Sequence, residues 1–225
     1  MHQITTGNII GYLKFTFIYD LAFPVFQIIR TIDWHLKKER PNTPHLIKQH
    51  TIKSYQKTYK TPICIETGTY LGMMVKAVKN NFSKIYTIEL DKKLFKNAKR
   101  KFAHLKQVKV INGDSSKILP RLLKKINQPA LFWLDAHYSK GITAKGSKNT
   151  PIAAELTFIL NHKITNHVIL IDDADVFNGK NDYPPLKFLR SLISKNYPNL
   201  FFKVKDNIIR ITPKHLSRKA DKKHS

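Results

Sequence analysis

Residues 63–72 read ICIETGTYLG, a short apolar run followed at once by a turn that contains Gly68 and Gly72. The run predicts a buried β-strand, and the glycines allow the backbone to turn and to approach a ligand closely before a helix begins. We expect that helix over residues 71–81. Taken alone, the turn is weak evidence for a binding site, because ordinary tight strand-to-helix turns have a similar composition.

Further apolar runs follow, and helical patterns separate them. The runs cover residues 85–88, 108–111, 130–134 and 168–171, and two more, 201–205 and 208–212, flank Asp206-Asn207, a tight-hairpin signal. Alternating strands and helices indicate a parallel sheet with helices on both faces, and the hairpin adds one antiparallel strand. The predicted fold class is therefore α/β, a Rossmann-like, doubly wound, seven-stranded sheet. Ser115 or Ser116 is expected to cap the helix after the third strand.

The pattern of strands and helices sets the expected domain boundaries. It begins at Pro62, after a polar, lysine-dotted stretch, and ends with the hairpin. We expect an N-terminal helical extension and linker over residues 1–61, one domain over residues 62–213, and a basic, disordered tail over residues 214–225. A chain of 225 residues suits one well-packed domain with a modest extension.

The chain is strongly basic, with 40 Lys and Arg against 15 Asp and Glu, a formal net charge of +25. Such a charge fits a polyanionic partner, either a nucleic acid or an anionic membrane surface. It also fits a solvated, lysine-rich surface, and we favour this interpretation because most of the cations are Lys rather than Arg. The lone Cys64 has no partner for an internal disulfide and suits a reducing compartment.

Residues 9–29 are apolar enough to raise the question of a membrane span. Lys14, Asp20 and Pro24 interrupt the stretch, and no small-residue cleavage site follows it. We expect a partly amphipathic helix that packs on the domain or on a partner. The alternative is a helix that lies on a bilayer surface, which Lys37, Lys38 and Arg40 would favour.

Acidic residues stand where the predicted strands end. In an open parallel sheet, ligands bind beyond the carboxyl ends of the strands, so these positions are the informative ones. A carboxylate about 20 residues after the glycine turn suits the two hydroxyls of a ribose, and one after the third strand suits an adenine amino group or a helix cap. Carboxylates that converge at two neighbouring strand ends would repel one another without a cation. The acidic residues at the ends of the predicted strands are Glu66, Glu89, Asp114, Asp135, Asp172 and Asp173.

In the order and spacing of these motifs, residues 66–212 resemble the class I methyltransferases that use S-adenosylmethionine (SAM). The runs FWLDAHYS at 132–139 and ILIDDA at 169–174 look like a bacterial subgroup often found near surface-glycan genes. The resemblance implies that the glycine turn lines the methionine end of SAM, that Glu89 holds the ribose and that Asp114 faces the adenine. The implied cofactor-binding set is Glu66, Gly68, Thr69, Gly72, Glu89, Asp114, Ser115 and Asp135.

The acidic cluster resembles the strand ends at which catechol-type and macrolide-sugar O-methyltransferases hold magnesium. Asp135, Asp172 and Asp173 are the expected ligands, because Mg²⁺ prefers carboxylate oxygens. Together with Asp135, His137 is the expected catalytic residue and would accept the proton of the substrate hydroxyl. Two alternatives stay open: His137 could be a structural histidine, and the pair Asp172 and Asp173 could cap helices without binding a metal.

The leading functional interpretation is an O-methyltransferase that acts on a glycan or small molecule. One alternative is an RNA methyltransferase, motivated by the +25 charge, although LDAH at 134–137 differs from the Asn/Asp-Pro-Pro-aromatic box used on exocyclic base nitrogens. Another is a non-catalytic protein that binds a membrane surface or a partner. We expect a cytoplasmic location, with peripheral contact at the inner membrane face through residues 9–40 left open. The oligomeric state is not predicted.

Overall fold

The computed structural model describes residues 17–37, 43–136 and 150–214, without the side chains of residues 17–24. The chain divides into two compact units, with the boundary between Lys48 and Gln49. The predicted base His137 and the predicted tail beyond Lys214 lie outside the described residues.

The first unit contains helix α1 (Phe17–Leu36) and the beginning of helix α2 (His45–Tyr59). The side-chain carbonyl of Gln27 accepts a hydrogen bond from the backbone N–H of His45 at 3.2 Å. Five apolar side chains form an exposed stripe along α1, because their spacing places them on one helix face: Val25, Ile28, Ile29, Ile32 and Leu36. No described helix is both long enough and apolar enough to span a membrane.

The second unit is built on a seven-stranded sheet in the order β3-β2-β1-β4-β5-β7-β6. Among the described strands only β7 runs against the others, since it pairs antiparallel with both β5 and β6. The predicted fold class is confirmed. The strands are β1 (Ile63–Thr67), β2 (Lys84–Glu89), β3 (Val108–Asn112), β4 (Ala130–Leu134), β5 (Val168–Ile171), β6 (Leu200–Lys205) and β7 (Ile208–Pro213).

Helices cover both faces of this sheet, as the alternation of strands and helices predicts. The helices are α3 (Met73–Val78), α4 (Lys92–Lys101), α5 (Ser115–Leu123), α6 (Ile152–Leu160) and α7 (Leu186–Asn196), with a short 3-10 helix at Ala174–Val176. Apolar residues of α2, α3 and α4 pack on one face, and those of α5, α6 and α7 on the other. Alternate residues of the central strands point to opposite faces of the sheet. Phe132 packs with α5, α6 and α7, whereas Leu131 and Trp133 pack with α2, α3 and α4.

Three local features differ from the sequence-based expectations. The helix expected over residues 71–81 covers only Met73–Val78, because Tyr70 and Gly72 adopt positive φ and delay its start. Helix α5 is capped by Asp114, and not by Ser115 or Ser116, because the Asp114 carboxylate accepts the Ser116 N–H at 2.9 Å. Helix α2 was not predicted at all.

Candidate active site

The turn after β1 is fixed against the end of β4. Gly68 has a φ of +87°, and a Cβ atom at this position would lie 2.6 Å from the backbone oxygen of Asp135. The N–H groups of Gly68 and Thr69 both donate to the backbone oxygen of Ile88, at 2.9 and 3.3 Å. The turn therefore has the close backbone approach that only glycine permits, and its position beside the ends of β2 and β4 is set by hydrogen bonds.

Glu66 lies buried at the base of this turn. The Thr87 hydroxyl donates to its carboxylate, and Thr69 and Thr87 are hydrogen-bonded to each other through their hydroxyls. The pKa of Glu66 is raised to about 8: burial is the main cause, the Thr87 hydrogen bond acts in the opposite direction, and the nearby acids Asp135 and Glu89 add to the shift. A carboxyl group in such surroundings is stabilised in its charged form by a cationic or hydrogen-bond-donating ligand.

Glu89 ends β2 with its carboxylate held in place. One oxygen accepts the Tyr70 N–H at 2.8 Å and the other accepts the Asp91 N–H at 2.9 Å. Burial raises the pKa of Glu89, although the backbone donors oppose this shift. Each carboxylate oxygen can accept a second hydrogen bond. The side chain thus presents an oriented pair of acceptors, the arrangement expected for a ribose diol.

Asp114 follows β3 and has one of the two roles that its sequence position suggested, that of a helix cap. Its Oδ1 accepts both the backbone N–H and the hydroxyl of Ser116, at 2.9 and 2.6 Å. These bonds cap α5 and leave Oδ2 outside the capping interaction. Asp114 is therefore a helix cap, and it keeps an acceptor at the sheet edge where the adenine amino group was expected.

The three predicted metal ligands come together at the ends of β4 and β5. Asp135, Asp172 and Asp173 each offer a carboxylate oxygen, and these oxygens all lie within 4.8 Å of one another. The backbone N–H of Asp172 donates to Leu134 at 3.1 Å, which ties the two strand ends together. Asp173 adopts a left-handed φ of 52°, and the Ala174 N–H that follows donates to the backbone oxygen of Asn207 at 2.8 Å. Three converging carboxylates form a set of hard oxygen donors that fits a divalent cation such as Mg²⁺.

Two residues that the sequence did not single out line a recess beside this cluster. Glu155 on α6 and Tyr183 join Asp135, Asp172 and Thr150 around it. Burial raises the pKa of Tyr183 to about 12, and the neighbouring acids contribute to the shift, so the phenol keeps its proton. Glu155 carries a signal that was overlooked: it stands three residues after Ile152 and four before Ile159, the spacing of one helix face, in an apolar stretch where a charged residue is unexpected.

Comparison with solved structures shows that this architecture is shared. An O-methyltransferase from Bacillus cereus, solved with S-adenosylhomocysteine (SAH), superposes with a TM-score of 0.56 at 15% identity over 91% of this chain and 96% of that one. The O-methyltransferase TomG from Streptomyces achromogenes, solved with SAM, gives 0.54 at 15% identity over 79% and 81%. The SAH-bound Podospora anserina methyltransferase PaMTH1 gives 0.53 at 17% identity over 95% and 97%.

No protein-family model matches the chain, and no curated protein sequence matches it either. The structural likeness establishes the fold: the chain has the class I fold of SAM-dependent methyltransferases, as the resemblance of its motifs implied.

Proposed function

We propose that this protein is a SAM-dependent methyltransferase that transfers a methyl group to a hydroxyl of a glycan or another small molecule. The observation that carries the proposal is the arrangement along one edge of the sheet. Gly68 and Asp114 follow the strands β1 and β3, Glu89 ends the strand β2 beside them, and the carboxylate cluster follows β4 and β5.

The residues of this edge fit the parts of SAM. The turn that contains Gly68 and Gly72 would line the methionine end, and its place is fixed against β4, since an added Cβ at Gly68 would meet the Asp135 backbone. Glu89 offers two fixed oxygens to the ribose hydroxyls, and Asp114 offers an acceptor to the adenine amino group. Glu66, Thr69, Ser115 and Asp135 complete the proposed pocket.

Asp135, Asp172 and Asp173 would hold a divalent cation beside this pocket. When bound, such a cation lowers the pKa of a coordinated hydroxyl group. We assign His137, which follows Asp135 by two residues, the role of proton acceptor.

In the proposed reaction the methyl group moves from the sulfur of SAM to the oxygen of the acceptor. The acceptor O–H gives its proton to His137, the oxygen forms a bond to the methyl carbon, and the carbon–sulfur bond breaks so that the sulfonium becomes a neutral thioether. The chain contributes mainly alignment, because the fixed turn and the fixed strand ends hold two reactants in one geometry.

Transfer of labelled methyl groups from SAM into cell extracts tests the acceptor class. The extracts are fractionated into glycan, lipid, RNA and protein, and we expect label in the glycan or small-molecule fraction. Label confined to RNA would support the alternative of an RNA methyltransferase, which the +25 charge suggests. Binding of RNA that persists only at very low salt would indicate nonspecific charge instead.

A second activity is supported by the exposed stripe on α1. Its five apolar side chains are between 52% and 81% exposed, Ile28 and Leu36 being the extremes. Apolar stripes on helices of strongly basic proteins bind anionic membrane surfaces, because apolar insertion and charge attraction add. We propose that α1 places the protein at the inner membrane face.

Substitution of Ile29 by Glu should weaken binding to vesicles that contain anionic lipid by about tenfold to 100-fold, since an aliphatic side chain that inserts into the bilayer contributes roughly 1.5–3 kcal/mol. Co-sedimentation with vesicles measures the effect. The matched control is Arg30→Gln, which changes the charge by the same amount on another face of the helix. Equal losses in the two variants would show that charge alone drives binding and would refute a role for the stripe.

A further inference from the structure

Glu155 is a buried carboxylate that the proposed mechanism does not use. Its side chain is 1% exposed, and its Oε1 has no hydrogen-bond partner among residues 17–37, 43–136 and 150–214. A buried charged oxygen without a partner is costly, so native proteins rarely keep one without a ligand or another compensation. The group therefore points to a ligand that completes it.

The location of Glu155 indicates which part of a ligand it would meet. It lines the recess together with Asp135 and Ala136, at the end of β4 where the Gly68 turn packs. Its carboxylate also lies close to the hydroxyls of Ser115 and Thr67. Glu155 thus stands between the proposed methionine end of the SAM site and its proposed adenine end. The sulfur atom of SAM joins those two parts of the molecule.

We propose that Glu155 provides the negative charge that stabilises the sulfonium centre of SAM. This inference rests on the proposed function. It adds a preference of the site for SAM over its product SAH, which the fold alone does not supply. SAM carries a permanent positive charge at sulfur, whereas its product SAH is a neutral thioether. A carboxylate at this position therefore binds the substrate form more tightly than the product form, and the attraction ends with the transfer itself.

The surroundings of Glu155 are consistent with a missing positive charge. The pKa of Glu155 is raised to about 7: burial is the main cause, Asp114 adds to the shift, and the hydroxyls of Ser115 and Thr67 act in the opposite direction. Two other buried acids of the proposed pocket already have donors: Glu66 accepts from Thr87, and Glu89 accepts from two backbone N–H groups. A nearby cation stabilises the ionised carboxylate, so the ligand and the group each favour the charged state of the pair.

Calorimetric titration of the full chain with SAM and with SAH tests this inference. The wild-type protein should bind SAM more tightly than SAH. Glu155→Gln keeps the shape of the side chain and removes its charge. We expect this variant to lose about tenfold in affinity for SAM and to keep its affinity for SAH within about twofold. Glu155→Asp, which keeps the charge on a shorter side chain, should lose less.

The wild-type titration makes the inference falsifiable even if a variant fails to fold. A wild-type protein that binds SAH as tightly as SAM would overturn it, and so would a Glu155→Gln protein that loses affinity for both ligands equally while remaining folded. Absence of binding of either ligand to the wild-type protein would instead contradict the proposed function. The two failures are therefore distinguishable.

Discussion

Replacing Asp172 with asparagine is expected to lower the rate of methyl transfer by about 100-fold, or ~2.7 kcal/mol in the activation free energy. Asp172 is the buried member of a trio whose carboxylate oxygens lie within 4.8 Å of one another. Asparagine keeps the shape of the side chain but removes the charge that a divalent cation needs. Turnover is measured with the acceptor fraction that takes up label, and Mn²⁺ binding to the same variant gives a readout that does not depend on activity.

Chelation of the wild-type protein and a matched variant are the controls for Asp172→Asn. EDTA should lower the wild-type rate to a similar degree, and added Mg²⁺ should restore it. Asp182→Asn makes the same charge change at an exposed carboxylate and should retain the rate. Unchanged turnover in Asp172→Asn, or in the chelated wild-type protein, would remove the cation from the account.

Replacing Gly68 with alanine is expected to abolish measurable SAM binding and to lower the free energy of unfolding by about 2–4 kcal/mol. At φ +87° an L-residue is strained, and the added Cβ would lie 2.6 Å from the backbone oxygen of Asp135. Backbone cannot move aside as a flexible side chain can. The turn must therefore shift away from β4, which displaces the N–H groups that fix it beside Ile88.

Gly179→Ala is the matched control for Gly68→Ala. Gly179 has a similar φ of +84°, but its added Cβ would meet only the Pro185 ring, at 3.3 Å. We expect a smaller loss of stability, about 1–2 kcal/mol, and unchanged SAM binding. Denaturant titration and calorimetry measure the two quantities separately. Normal SAM affinity in a folded Gly68→Ala protein would show that the turn does not bind the cofactor.

Much of the fold can be predicted from sequence because its central strands are short apolar runs buried on both faces. Residues such as Phe132 and Trp133 belong to opposite faces of the sheet, so the whole of β4 is apolar and easily recognised. Helix α2 cannot be recognised from apolar runs in the sequence. It contributes Ile52 and Tyr59 to the core, whereas most of its other residues are polar, so it reads as a linker.

The site was partly predictable for a related reason. Strand ends are located once the strands are known, so the convergence of Asp135, Asp172 and Asp173 follows from topology. Glu155 lies on a helix rather than at a strand end. Its place among apolar residues is visible in the sequence, but a role in the site is indicated only by its burial and by the lack of a partner for its Oε1 among the described residues. The assignment of His137 as the base stays a prediction.

Calorimetric titration of SAM into the wild-type protein is the most direct test of a SAM pocket at the Glu66–Gly72 turn. The proposed pocket predicts saturable binding of one SAM per chain, accompanied by an upward shift of the melting temperature. Absence of both heat and thermal shift, with SAM and with SAH alike, would contradict the pocket and the methyltransferase activity built on it.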